Sequence, residues 1–446
     1  MATMTTIKPQ RMKHGFTRTI AASDAVASPV PQSKIQIPKS KIFPATAQPR
    51  TLIPEPALAI IPTMSKDAFI FAGGGTGGHL FPGLAVAAAV RRQMSEARIT
   101  FFTTMKPLDA ELVMRSGFDQ ITQPVRPFST NPLHWWGFWN AWRTSVKTAT
   151  AHLKRIQPRA VLGLGGYAAG PAVVAAHKLG IRTAILNPDA RPGRANRYLS
   201  RFVDLVAVQW DVASGLLAKP QACKALGCPI RAEFADASRA KGLEEFKLAA
   251  DRPVLLVTGA SQGATTVNDV MLRLWPEFHR HRPEWQLLHL TGKGADERVR
   301  AAYAAANAPA QVLSFTHAMP LALAAADVVV SRAGASTLAE LTALGKASIL
   351  LPYPYHRDRH QHANAQVLVD AGAAVLVEDL RNADQTYPAL TAALERLADA
   401  DTRTKMSAAA KNLGRPSAAA DVANWLLDER ASAESPSTIS PTEQAA

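Results

Sequence analysis

Four stretches of the chain combine glycine with small, hydroxyl or basic residues in the way that anion chemistry requires. The first is Gly73-Gly74-Gly75-Thr76-Gly77-Gly78-His79, and the second is Gly163-Leu164-Gly165-Gly166-Tyr167-Ala168-Ala169-Gly170. The third and fourth are Thr258-Gly259-Ala260-Ser261-Gln262-Gly263 and Ser331-Arg332-Ala333-Gly334-Ala335-Ser336-Thr337. Glycine lets main-chain amides approach a phosphate closely, and a helix start adds unpaired N–H groups and the positive end of a dipole. One such loop can be an ordinary strand-to-helix turn. Four of them, two in each half of the chain, suggest a cleft that holds diphosphates on both sides. The first stretch also satisfies GxGxxG, but a dinucleotide site needs an acidic residue closing the second strand, where this chain reads Thr103-Thr104-Met105-Lys106. No nicotinamide or flavin cofactor is expected.

Each loop lies between a short apolar run and a helical pattern, so the positioning elements are βα units. AFIFA, RITFFTT, AVLGLGG, TAILN and LVAVQ form one series, with a helix expected to begin near Pro82; RPVLLVTG, WQLLHLTG, QVLSFT, DVVVSRAG, ASILLPYP and AAVLVED form a second. This alternation predicts an α/β protein with two doubly wound parallel sheets and a cleft between them. The expected divisions are a basic, Pro-rich, disordered extension over 1–65, a Rossmann-like domain over 66–228, a second over 229–430, and a loose tail over 431–446. The charged stretch GCPIRAEFADASRAKGLEEF is the expected hinge. Met64 stands just before the first strand, so a start at that methionine is a second reading of the extension.

Composition narrows the field. The chain has 446 residues, 47% of them hydrophobic and 19% charged, enough to bury large cores and too apolar for wholesale disorder. Cys223 and Cys228 are too few for a disulfide framework and match no CxxC or zinc spacing, so a reducing compartment is expected. Of the net charge of +15, residues 1–66 carry +7, with nine Lys or Arg against Asp24 and Glu55. Such a surface attracts nucleic acid, anionic lipid or anionic small molecules alike, and only the motifs can choose among them.

The motifs GGGTGGHLFPGLAVA, VLGLGGYAAGP, GCPIR, GASQGA, SRAGASTLAEL and DRHQHANA occur in the order and with the spacing of one family. From about Phe69 to Asn424 the sequence resembles the MurG family, inverting family 28 glycosyltransferases that move N-acetylglucosamine from UDP-N-acetylglucosamine onto lipid I, the undecaprenyl-diphosphate-linked muramyl pentapeptide, to make lipid II. The resemblance implies the GT-B fold, with acceptor on the first domain and donor mainly on the second, and no cofactor. It implies that Thr76, Gly77 and Gly78 meet the sugar side of the cleft and that Gly75 and Asn196 meet the acceptor; Tyr167, which follows paired glycines, either positions the acceptor or is an ordinary packing tyrosine. Arg231 and Ser261 would meet the donor diphosphate region, and Ala335, Ser336, Thr337 and Leu338 the diphosphate and ribose. Glu340 would accept from ribose hydroxyls, with an ordinary solvated helix charge as the alternative; Gln361 would meet the donor sugar with Asn364 on the same helical face, and the backbone at Thr316 would read uracil.

One segment departs from the family. Where the family shows HEQN, this chain reads Leu186-Asn187-Pro188-Asp189, so an amide and a carboxylate have changed places. Asp189 is then either a donor contact or a proton acceptor. Inversion needs one base for the attacking hydroxyl, and His79 at a helix start is the first candidate, since the dipole favours neutral imidazole; a role limited to bonding the loop is its alternative. His356, Asp358, His360 and His362 offer metal-ligand types, but the interleaved Arg357 and Arg359 oppose a cation and no metal is expected.

The acceptor that the resemblance implies is a membrane lipid, and Trp135, Trp136, Trp139 and Trp142 with Leu133 and Phe138 lie just before Lys147, Lys154 and Arg155. Tryptophan favours the headgroup boundary and cations favour anionic lipid, so peripheral attachment to the cytoplasmic face of the inner membrane is expected, with a buried helix as the alternative. The expected partners are UDP-N-acetylglucosamine, lipid I, an anionic membrane surface and the cell-wall or division machinery, without nucleic acid. A glycolipid synthase using another UDP-sugar and lipid acceptor, or a non-catalytic binding protein of the same fold, stands as the alternative function.

Overall fold

The computed structural model describes residues 67–127, 131–259, 263–356 and 358–428. The Pro-rich stretch 1–65, the tail 431–446 and Ser261 lie outside the described residues. Two all-parallel sheets are present. The first contains β1 (Ala68–Ala72), β2 (Arg98–Thr103), β3 (Asp119–Thr122), β4 (Ala160–Gly163), β5 (Arg182–Asn187), β6 (Leu205–Val208) and β7 (Cys223–Ala225), in the order β3-β2-β1-β4-β5-β6-β7. The second contains β8 (Val254–Thr258), β9 (Gln286–Leu290), β10 (Gln311–Leu313), β11 (Val328–Ser331), β12 (Ala347–Leu350) and β13 (Ala374–Leu376), in the order β10-β9-β8-β11-β12-β13.

The central strands β1, β4, β6, β8 and β11 are buried at every position because helices cover both faces, which is why they read as unbroken apolar runs. The edge strands β3, Asp-Gln-Ile-Thr, and β7, Cys-Lys-Ala, are half exposed and carry no such run, so the sequence pattern does not reveal them. Separate apolar clusters lie against the two sheets, one built on Phe69, Phe71, Phe101 and Leu162, another on Leu255, Val257, Trp275 and Ile349.

Two features differ from expectation. Helix α1 (Gly77–Gln93) begins at Gly77 rather than near Pro82, so Gly77, Gly78 and His79 occupy its first turn. Pro82 therefore lies inside the helix, in its second turn, where it forgoes one main-chain hydrogen bond. The last described helix, Ala418–Leu427, belongs by sequence to the second half, yet Ala419, Val422, Ala423 and Leu426 pack into the first sheet's apolar cluster. Arg159 donates to Leu427 O at 2.8 Å, and the Arg182 guanidinium lies 3.7 Å from the Trp425 ring centre.

Candidate active site

Strand order reverses between β1 and β4 in the first sheet and between β8 and β11 in the second, the position at which open parallel sheets leave a crevice beyond their carboxyl ends. The four glycine-bearing loops follow those four strands. Gly74 and Gly75 take φ values of +148° and +87°, and a Cβ on Gly74 would stand 2.4 Å from Asp109 Oδ2. Asp109, fully buried in the first turn of α2 (Pro107–Arg115), accepts the Gly75 N–H at 2.8 and 2.9 Å and the Thr104 N–H at 3.2 Å. The Gly75 N–H is therefore spent on Asp109. Lys106 Nζ donates to Gly75 O at 2.8 Å from above the loop.

His79 is half-buried, with Nδ1 at 3.0 Å from Thr76 Oγ1. Its ring lies against Gly165 and Gly166; a Cβ on Gly166, where φ is +70°, would come within 3.2 Å of His79 Cε1. Burial lowers the imidazole pKa below its ordinary value; the nearby carboxylates of Asp189 and Asp109 resist that fall, and His360 adds to it. The neutral ring therefore predominates at pH 7, with Nε2 unpaired among the described residues. Tyr167 follows Gly166 and its hydroxyl lies 3.5 Å from where a Gly75 Cβ would stand. Burial and the Asp109 charge raise its pKa, so the hydroxyl remains a donor.

Beyond β5 the exchanged residues have a defined wiring. Buried Asn187 donates to Asp189 O at 2.9 Å and accepts from Asn196 Nδ2 at 3.0 Å. Asn196 also donates to Leu186 O at 2.9 Å, so its amide protons serve the β5 end, while its buried Oδ1 has no partner among the described residues. Asp189 Oδ1 accepts from Asn364 Nδ2 at 2.8 Å, and Asn364 Oδ1 accepts from Ala190 N at 2.8 Å. Asn364 is fully buried in the helix His360–Asp370 of the second sheet's layer, so these bonds clasp the two sides of the cleft. Arg191 adds a bond to Asp358 O at 3.3 Å. With its amide oriented to satisfy its neighbours, Gln209 donates to Pro188 O at 2.9 Å and Ala335 O at 3.3 Å.

On the second side, Gly334 caps the helix Ala335–Ala343, whose first turn presents Ala335, Ser336 and Thr337 half-exposed. The Leu338 side chain is wholly buried in the core, and its N–H donates to Gly334 O at 3.0 Å. Burial pushes the Glu340 carboxyl up to about 7, opposed by the nearby Arg231 guanidinium. Arg231 lies 5.9 Å from the Phe81 ring centre of α1 and 5.5 Å from that of Phe234, which places it between the two halves. Gln361 Oε1 accepts the Tyr353 N–H at 2.9 Å, and Thr316 Oγ1 accepts the Ala318 N–H at 3.0 Å, so both side chains hold local backbone. His356, Asp358 and His360 converge until their ligand atoms lie within 4.8 Å of one another, with His360 Nδ1 2.8 Å from Asp358 Oδ1.

Comparison with known proteins is specific. The family 28 glycosyltransferase N-terminal domain matches residues 69–208 and its C-terminal domain matches 254–422. A UDP-N-acetylglucosamine--N-acetylmuramyl-(pentapeptide) pyrophosphoryl-undecaprenol N-acetylglucosamine transferase of Desulforamulus reducens is 35% identical over 79% of this chain and 96% of its own length. A transferase of the same name from Lactiplantibacillus plantarum is 36% identical over 78% and 96%. The chain belongs to the MurG family. The crystal structure of Acinetobacter baumannii MurG superposes with a TM-score of 0.65 at 26% identity, covering 81% of this chain and 99% of that one. UDP-N-acetylglucosamine 2-epimerase from Neisseria meningitidis, at 13% identity and a TM-score of 0.57, shares the fold alone.

Lys106, Asp109 and Gln209, which the structure brings to this cleft, were not among the residues that the family motifs pointed to. The one available signal for Asp109 was an acidic residue in a first helical turn behind Pro107. The tryptophan-rich segment opens α3 (Trp135–Ile156), whose Trp135, Trp136 and Trp139 are exposed, Trp136 at 84%. Trp142 is the inward member: a Cβ on Gly170 would lie 2.7 Å from its ring. None of the described helices is long and apolar enough to cross a membrane.

Proposed function

We propose that the chain transfers N-acetylglucosamine from UDP-N-acetylglucosamine to the C4 hydroxyl of the muramyl sugar of lipid I, forming lipid II for peptidoglycan synthesis and so for wall growth, cell shape and division. Identity of 35% across 96% of a transferase of that name carries the assignment. His79 Nε2 takes the proton of the attacking hydroxyl, supported by its neutral state and its place at the mouth of the β1 loop. Asp189 supports the imidazolium that forms, since its carboxylate is held by Asn364 and acts on His79. Thr76, Gly77 and Gly78 meet the sugars, and Tyr167 the acceptor. Asn196 acts indirectly by holding Asn187. Arg231 and the amides of Ala335, Ser336 and Thr337 stabilise the charge that grows on the departing UDP, and Glu340 accepts from ribose. Ser261, Thr316 and Gln361 complete the donor side, as the family motif implies.

The enzyme works at the cytoplasmic face of the inner membrane, held by Trp135, Trp136, Trp139 and Leu133. Arg194, Arg197 and Arg201 border an open depression of the first sheet's half with Tyr198 and Leu216, and carry no ion-pair partner among the described residues, which suits anionic headgroups. Association with division machinery belongs to the same reading. The deciding assay offers the purified protein UDP-N-acetylglucosamine with a short-chain lipid I analogue and, in parallel, diacylglycerol. Transfer to the first alone is expected; transfer to diacylglycerol alone overturns the acceptor, and transfer to neither supports a non-catalytic binding protein.

A further inference from the structure

The carboxylate of Asp109 sits directly beneath the first glycine loop, fully buried and satisfied by Gly75 N–H, Thr104 N–H and the Thr104 hydroxyl. A buried negative charge at that position makes the loop surface repel an anion, because the attraction or repulsion of close charges is screened least away from water. One cation changes that sign. Lys106, exposed at the end of the β2 loop, spends one of its three donors on Gly75 O at 2.8 Å, which fixes Nζ over the loop and leaves two donors free. Its Nζ and the Tyr167 hydroxyl lie 3.8 and 3.5 Å from one point, the place where a Gly75 Cβ would stand. A Cβ there would make ordinary contact with both, and what favours glycine at 75 is its φ of +87°. Tyr167 stays protonated and so donates, since burial and Asp109 both raise its pKa.

We propose that Lys106, with the Tyr167 hydroxyl beside it, seats the diphosphate of the acceptor, so that Lys106 is a specificity-determining residue of the acceptor side. This presupposes the lipid I acceptor proposed above. The ammonium pairs with a diphosphate oxygen as a charged hydrogen bond, Tyr167 gives a neutral one, and the muramyl ring extends from there toward His79, which packs on the Gly165-Gly166 turn preceding Tyr167. The donor's diphosphate is served separately by Arg231 and the helix start at Ala335, on the other sheet's side.

The test compares the full-length wild type with Lys106→Met, Lys106→Arg and Tyr167→Phe. Steady-state kinetics use two short-chain acceptors, one with the natural diphosphate and one with a neutral linkage. Loss of a charged hydrogen bond predicts that Lys106→Met raises the KM for the diphosphate acceptor by about 10- to 100-fold, leaves the donor KM within about twofold, and leaves the neutral acceptor unaffected. Lys106→Arg should restore most of the loss, and Tyr167→Phe should show a smaller effect of the same pattern. In parallel, farnesyl diphosphate is titrated calorimetrically into each protein saturated with UDP, which occupies the donor side. Weakened binding in Lys106→Met supports the seat even if the wild type transfers no sugar, in which case only the proposed reaction has failed. Equal losses on both acceptors, a raised donor KM, or unchanged farnesyl diphosphate binding would overturn the proposal.

Discussion

At the scale of single residues, the candidate base and the ribose acceptor owe their states to burial. Because the His79 pKa lies below its ordinary value of 6.5, the acid limb of kcat/KM against pH should fall below that value, the activity being lost as the ring protonates. His79→Ala should lower turnover by about 10² to 10⁴ while UDP binding persists, measured by saturation kinetics and calorimetry. A much greater loss in Asp189→Asn than in His79→Ala would transfer the base role to Asp189. Glu340 behaves in the opposite sense. Its folded pKa of about 7 exceeds the ordinary 4.5, so as pH rises the unfolded chain releases this proton first. Stability from this group is complete below 4.5, is lost progressively up to about 7, and is constant above. Urea unfolding should therefore find Glu340→Gln more stable than the wild type at pH 8, by up to about 3 kcal/mol, with the gap closing toward pH 4.5. Ribose hydroxyls bind the ionised carboxylate best, so donor affinity should rise from pH 6 to 8 in the wild type and stay flat in the variant. A flat wild-type profile would remove Glu340 from the ribose site.

At the scale of elements, the cleft depends on a clasp between the loop after β5 and the helix His360–Asp370. Asn364 satisfies Asp189 Oδ1 and the Ala190 N–H together, each at 2.8 Å. Leucine at 364 keeps the branched shape, with bulkier ends, but strands a carboxylate and an amide, which costs about 1 to 3 kcal/mol for each unsatisfied group. Asn364→Leu should lower the urea midpoint and reduce kcat/KM for donor. Asn364→Asp, which sets two carboxylates against each other, should in addition enlarge the radius of gyration in solution scattering. Unchanged scattering and donor kinetics in both variants would mean that the clasp is incidental. The exchanged Asn187 and Asp189 belong to this device: Asn187 holds the end of β5 through Asn196, and Asp189 faces the second side. The motif showed that the wiring had changed; the partner, 175 residues away, came only from packing.

Taken whole, the molecule presents an exposed aromatic helix start on its first sheet's helical layer. Replacing Trp135, Trp136 and Trp139 with serine should abolish sedimentation with anionic liposomes while transfer to a soluble acceptor analogue survives, because these side chains stand in solvent and Trp142 keeps the helix packed. Loss of the fold, seen as a lost cooperative melt, would show that the rings serve the core. Composition and periodicity sufficed for the two-sheet α/β architecture, since strands buried on both faces must be apolar throughout and glycine must follow them where backbone approaches backbone. Motif order sufficed for the family. The half-exposed edge strands β3 and β7 lacked that signal, and the return of the helix Ala418–Leu427 to α1 had none, because an apolar helix face does not state which sheet it will cover. Local pattern likewise could not show that Asp109 consumes the Gly75 amide or that Leu338 turns into the core. Those outcomes depend on which side chains the fold brings together across tens of residues, and burial, charge and hydrogen-bond satisfaction are decided only there.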